Sequence, residues 1–124
     1  MIDFEYHAPT SLDQVFDLLD KYGDDSRVMA GGTALVIQMK QRLSQPGHVI
    51  GMRRVGSLNA IESTPEGLRI GALCTQRQIE NSELVGKEVP LVADTFRKVA
   101  TPRIRNMATI GGGLVNGDPN QDPP

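Results

Sequence analysis

Two glycine-centred runs hold the residues of this chain with the clearest capacity for binding chemistry. The first is Ala30-Gly31-Gly32-Thr33-Ala34-Leu35, led in by Met29; the second is Ala108-Thr109-Ile110-Gly111-Gly112-Gly113-Leu114. In each, short apolar residues that suit a strand lead into bare glycines with a threonine close by, and apolar residues follow. Glycine lets backbone N–H groups converge on a ligand with no side chain in the way, and it reaches backbone angles closed to other residues. Concave rows of N–H groups bind anions, phosphates above all. Two such runs point to a ligand carrying a diphosphate. Neither run is a Walker A loop, because no Gly-Lys-Ser/Thr follows, and neither is the dinucleotide fingerprint of a Rossmann unit. A plainer alternative stands beside each. Gly31-Gly32 can be a tight turn with Thr33 capping a helix, and the glycine triplet can be a bend where backbone passes close to backbone.

The other polar candidates are fewer. Asp118 and Asp122, set among Pro119, Pro123 and Pro124, are able to accept hydrogen bonds from polyol hydroxyls, or simply to form turns. They lack a histidine or third carboxylate nearby, so no metal site is read there. Arg103 and Arg105 flank Ile104 just before the second run, where they face either phosphate, a protein partner or only solvent. His7 and His48 have no ligand-type spacing and are read as structural. Cys74, among Ala72, Leu73 and Thr75, reads as a small buried hydrophobe, and Met29, Met39, Met52 and Met107 as core fillers. No nucleophile–base pair and no paired carboxylates suited to acid–base work are visible, so no catalytic residue is assigned. Any redox chemistry would belong to a cofactor.

The bulk properties narrow the class. The chain has 124 residues, 39% hydrophobic and 23% charged, as in a soluble globular protein of one domain or two small subdomains. A formal charge of −2 offers no electrostatic footprint for nucleic acid or anionic lipid. No apolar run reaches membrane-spanning length, and Met1-Ile2-Asp3-Phe4-Glu5 is no signal peptide, so the expected location is the cytoplasm. With one cysteine, the chain holds neither an internal disulfide nor a four-cysteine iron–sulfur site.

These runs need elements to position them. Phe4 and Tyr6 alternate with Asp3, Glu5 and His7 as a short strand. Ser11 and Gln14 form a capping box, and Leu12, Val15, Phe16, Leu19 and Tyr22 follow at helical spacing until Gly23. Asp24 to Ser26 is a loop, and Arg27 to Ala30 a second strand feeding the first run. Leu35, Val36, Met39 and Leu43 then predict a helix broken at Pro46-Gly47, its amino end adding partial positive charge to an anion site. His48 to Met52 is a third strand, giving a βαβαβ-like subdomain over roughly 1–55. Across 56–124, Glu62-Ser63-Thr64 and Leu68 to Ala72 read as a hairpin about Pro65-Glu66-Gly67. Thr75 and Gln78 suggest a second capping box and a brief helix to about Asn81. Pro90 opens a longer one, with Leu91, Val92, Thr95, Phe96 and Val99 on one side. Thr101-Pro102 ends it, and Ile104 to Met107 leads into the second run.

With these motifs in place, the chain resembles the FAD-binding (medium) subunit of the molybdenum hydroxylases, the family of carbon monoxide dehydrogenase and xanthine dehydrogenase. The matching residues are Met29 to Thr33, Met39-Lys40-Gln41-Arg42-Leu43, Leu68-Arg69-Ile70-Gly71-Ala72 and Ile104 to Gly112, with Asp118-Pro119 and Asp122 after them. The resemblance implies an α+β, two-subdomain FAD-binding fold of the vanillyl-alcohol-oxidase (PCMH) type, with the second subdomain incomplete and the flavin lying between the two. It implies that Ala30 to Leu35 and Thr109, Ile110, Gly111, Gly112 and Gly113 wrap the FAD diphosphate, with Asp118 nearby and Asp122 on the ribityl chain. It also implies partners: an iron–sulfur subunit, fed by a molybdopterin subunit, passes electrons to FAD and on to an external acceptor. Gly113 departs from the family, which often has asparagine there. Family members also continue well past residue 124, so the expectations here are weak or absent FAD binding by the chain alone, no turnover, and self-association through exposed apolar surface. Two rival readings are a stand-alone flavoenzyme of the same superfamily and a noncatalytic interaction fragment that keeps the fold without flavin.

Overall fold

β1 (Glu5–His7) begins the regular structure of the computed structural model, which describes residues 1–124. The chain divides into two compact units, Met1–Ser57 and Leu58–Pro124. Its content is mixed helix and strand, and no helix is long and apolar enough to cross a membrane.

In the first unit, β1 and β2 (Ser26–Met29) both run parallel to a central β3 (His48–Gly51), in the order β1-β3-β2. Val49 and Ile50 of β3 are fully buried, as suits the middle strand of a parallel sheet. Parallel neighbours need crossover connections. These are supplied by α1 (Leu12–Tyr22) and α2 (Leu35–Lys40). Ser11 caps α1 by accepting the Gln14 N–H at 3.3 Å. The return arm of the expected box lands one residue early, on the Thr10 N–H, which donates to Gln14 Oε1 at 2.8 Å. Gly23, at φ 50°, closes the helix through its N–H to Leu19 O. Of the expected apolar stripe, Val15 is buried, whereas Phe16 is 55% exposed.

α2 is shorter than its apolar spacing predicts. It stops at Lys40 rather than at Pro46-Gly47, and Leu43 is left 75% exposed. Arg42 takes a left-handed φ of 60°. The Leu43 N–H then reaches back to Gln38 O at 2.8 Å, and the Arg42 N–H to Met39 O at 3.1 Å. That pair of bonds is a Schellman closure, which satisfies the last carbonyls and usually has glycine at the turning position. The local closure therefore overrides the hydrophobic period.

The second unit begins with the antiparallel hairpin β4 (Ile61–Thr64) and β5 (Gly67–Ile70), closed over Pro65-Glu66 by the Thr64–Gly67 pair. Five short helices follow: α3 (Gln76–Glu80), α4 (Glu83–Glu88), α5 (Pro90–Arg97), α6 (Pro102–Arg105) and α7 (Ile110–Asn116). Cys74, Ile79, Val85, Ala93, Phe96 and Val99 form its buried core, with Ile61, Leu68, Ile70 and Ile110 against it. Helix α4 has no counterpart in the sequence reading. Its six residues bury only Val85, so no period shows, and its one local signal is Ser82, which accepts the Val85 N–H at 3.2 Å. The stretch before the second glycine run, which the sequence reading left without an element, is helical too. Thr101 caps α6 on the Ile104 N–H and Pro102 occupies the first turn, so the residues that end one helix start the next.

Candidate functional site

The first glycine run leaves the sheet at the carboxyl end of β2, the end where open α/β sheets bind their ligands. Met29 O is still engaged, accepting the Met52 N–H at 2.9 Å. Gly32 then turns the chain at φ +75°, and a Cβ there would lie 3.1 Å from Met29 Sδ. Helix α2 takes up two carbonyls of the run: Val36 N–H donates to Gly32 O at 3.0 Å and Gln38 N–H to Ala34 O at 3.1 Å. The donors are different. The backbone N–H groups of Gly31, Gly32, Thr33 and Ala34, and the Thr33 hydroxyl, hydrogen-bond to nothing in the chain. Ala34 at the helix cap brings no capping side chain. All six residues from Ala30 to Leu35 are half-buried. Successive backbone donors left free in this way, at a glycine turn leading into a helix, are the kind of group that binds anions.

The second run is a different object. Gly111, Gly112 and Gly113 form the first turns of α7 rather than an open loop. Gly111 N–H donates to Ala72 O at 2.9 Å, and Gly112 N–H to the capping Thr109 Oγ1 at 3.0 Å. Gly113 N–H returns to Thr109 O at 3.1 Å, and Ile110 N–H crosses to Cys74 O, also at 3.1 Å. Every glycine donor of the triplet is thus in use. A Cβ on Gly111 would sit 2.6 Å from Ala72 O, so glycine is required there for backbone to meet backbone. Gly113 carries no such demand, since a Cβ there meets only Gln121 Nε2 at 3.5 Å.

The remaining predicted residues divide in the same way. Asp118 Oδ1 accepts the Asn120 N–H at 2.9 Å, which makes it a turn former. The exposed Asp122 carboxylate has no partner. Arg103 is exposed, but Arg105 is buried and cannot serve a phosphate. Its Nε donates to Glu80 Oε1 at 3.0 Å and its guanidinium to Val99 O at 2.6 Å, while Arg77 meets the same Glu80 oxygen at 2.8 Å. Burial alone would push the Glu80 carboxyl up, but hydrogen bonds from Arg77 and Arg105, and their charges, outweigh it and hold the carboxyl below its ordinary value. Burial likewise pushes the Cys74 thiol up, against a smaller backbone hydrogen-bond effect, so it stays an inert S–H facing Ala60 O. Sequence reasoning passed over Gln76, which is 8% exposed and has a buried Oε1 without a hydrogen-bond partner. No local pattern marks it.

Comparison with known proteins decides the family. The pattern of the FAD binding domain in molybdopterin dehydrogenase matches residues 2–124. The chain belongs to this family. The medium chain of carbon monoxide dehydrogenase from Afipia carboxidovorans is 40% identical over 121 residues, which are 98% of this chain and 42% of that protein. The nicotine 6-hydroxylase medium subunit of Paenarthrobacter nicotinovorans is 39% identical, over 91% of this chain and 40% of its own length. Among solved structures, carbon monoxide dehydrogenase from Hydrogenophaga pseudoflava matches with a TM-score of 0.95 at 38% identity, covering 98% of this chain and 43% of that one. Quinoline 2-oxidoreductase from Pseudomonas putida 86 matches at 0.90 and 32% identity, over 94% of this FAD-domain chain and 41% of its own. The chain therefore spans about two fifths of the length of these relatives.

Proposed function

We propose that this chain is part of the FAD-binding subunit of a multi-subunit molybdenum-dependent oxidoreductase, with two subdomains of the vanillyl-alcohol-oxidase type. The observation that carries the reading is the row of four unpartnered N–H groups from Gly31 to Ala34, with the free Thr33 hydroxyl beside it. That row fits the diphosphate of FAD: backbone dipoles satisfy its charge without the desolvation of a lysine or arginine. Gly32 keeps the approach open. Thr109 and Gly111 do their work indirectly, by fixing the start of α7 against Ala72, and Gly112 and Gly113 leave its first turn bare of side chains where the cofactor would approach; the Ile110 side chain is spent on the core. Asp122 accepts hydroxyl donors of the ribityl chain, and Asp118 shapes the turn before it. FAD, when bound, supplies the electron transfer. An iron–sulfur subunit and a molybdopterin subunit would provide the electrons, and an external acceptor would receive them. No side chain of this chain is assigned a proton-transfer role.

A fluorescence titration of the full chain with FAD tests this. Saturable binding is expected, at least tenfold weaker in Gly32→Val, where a β-branched residue would have to adopt the left-handed φ. Gly111→Ala is expected to lose roughly 2–3 kcal/mol of unfolding free energy from its collision with the Ala72 backbone. Binding equal in Gly32→Val and wild type would remove the first run from the diphosphate site. A folded chain without saturable FAD binding would mean that these residues do not hold FAD by themselves, and the titration would move to a chain of the relatives' full length, where a second failure would sink the flavin reading.

A further inference from the structure

His7 and His48 show no ligand-type spacing along the chain and lie 41 residues apart, yet the parallel register opposes Glu5 on β1 to His48 on β3. Residues two apart on a strand share a face, so His7 joins them there. We propose that Glu5, His7 and His48 bind a divalent transition-metal ion of the zinc class.

The distances carry the proposal. His7 Nε2 lies 3.1 Å from His48 Nδ1, and the Glu5 carboxylate oxygens lie 3.6 Å from His48 Nδ1 and 3.9 Å from His7 Nε2. One ligand atom from each residue falls within 4.8 Å of the others. A tetrahedral zinc with bonds of about 2.0–2.1 Å places its ligand atoms about 3.4 Å apart. The three groups stand close to that spacing already, and a sub-ångström adjustment of the Glu5 side chain completes it. Two imidazoles and one carboxylate select zinc, nickel or copper over magnesium or calcium, which take oxygen alone. The fourth position is left to water.

The surroundings favour a held site over an accidental encounter. Tyr22 stacks on the His48 ring with centroids 3.6 Å apart and planes 16° apart, and on the His7 ring at 5.1 Å and 30°. Ring orientation is thus fixed from α1. The histidine side chains are 14% and 20% exposed while that of Glu5 is 64% exposed, so the imidazoles are sheltered and the ion enters from the carboxylate side. Bound there, it would tie β1 to the central strand of the first unit. The tie is structural and owes nothing to the flavin reading.

The test is titration of the untagged full chain with ZnCl2, followed by calorimetry and by the NMR signals of the imidazole rings. The chain has only two histidines, so each perturbed ring signal reports this site. One zinc per chain is expected, with both rings shifting and the melting temperature rising with Zn2+ but not with Mg2+. Glu5→Gln should weaken binding at least tenfold and His7→Gln should abolish it. Absence of zinc binding, unmoved ring signals, or undiminished affinity in both variants would overturn the proposal. The ring signals of the wild-type chain decide even if a variant fails to fold.

Discussion

At the residue scale, the two glycine runs look alike as text and differ in how their backbone donors are used. Gly31 to Ala34 leave four N–H groups without partners, whereas each glycine of the triplet donates within the second unit. Three consecutive glycines cost conformational entropy on folding. At Gly111 that cost is explained by the Ala72 backbone, 2.6 Å from where a Cβ would stand. Arg42 is the converse case, a non-glycine residue at φ 60° in a position that favours glycine. A left-handed L-residue costs on the order of 1 kcal/mol. Arg42→Gly is therefore expected to raise unfolding free energy by about 0.5–1 kcal/mol, measured by urea denaturation, with FAD binding unchanged. A loss of stability would mean that the arginine side chain makes a compensating contact.

At the element scale, the short helices of the second unit depend on each other more than on their own propensity. None of α3, α4 or α6 exceeds six residues, and helices so short are not stable alone. Side-chain caps start all three, and the Glu80 carboxylate then joins α3 to Arg105 of α6. Arg105 in turn donates to the carbonyl of Val99 just after α5. Glu80 is held below its ordinary value in the folded chain, so its contribution is present above the unfolded value of about 4.3 and lost as pH falls through the folded one. Acid titration of stability should accordingly steepen below about pH 4.3 in wild type and lose that component in Glu80→Gln. At neutral pH the same variant is expected to lose about 3–5 kcal/mol, since Arg105 is buried and left without its counter-charge. An unchanged acid limb in Glu80→Gln would assign the acid sensitivity to another carboxylate.

Across the whole molecule, several apolar side chains stand in solvent. Leu114 and Val115 on α7 are 77% and 89% exposed, Tyr6 on β1 is 49% exposed and Val28 on β2 44%. β1 and β2 are also the edges of their sheet, each with one unpaired side. We expect the chain to self-associate as its concentration rises, with sedimentation velocity as the check, and Leu114→Ser with Val115→Ser to shift the distribution toward monomer. A monomer at all concentrations would show that these side chains are tolerated singly.

Most of the short-range architecture is legible in the residues alone. The stop at Gly23, the Ser11 and Thr75 caps and the turn at Pro65-Glu66 all rest on hydrogen bonds spanning a few residues, so neighbouring side chains specify them. The family was legible for a related reason: Met29 to Thr33 and Ile104 to Gly112 are contiguous motifs. Tertiary structure alone decided which glycine donors are free, that Arg105 serves Glu80 25 residues away, and that Glu5 and His7 meet His48. Those outcomes depend on strand register and helix docking, where a shift of one residue turns a side chain to the other face. A linear spacing carries no record of that choice.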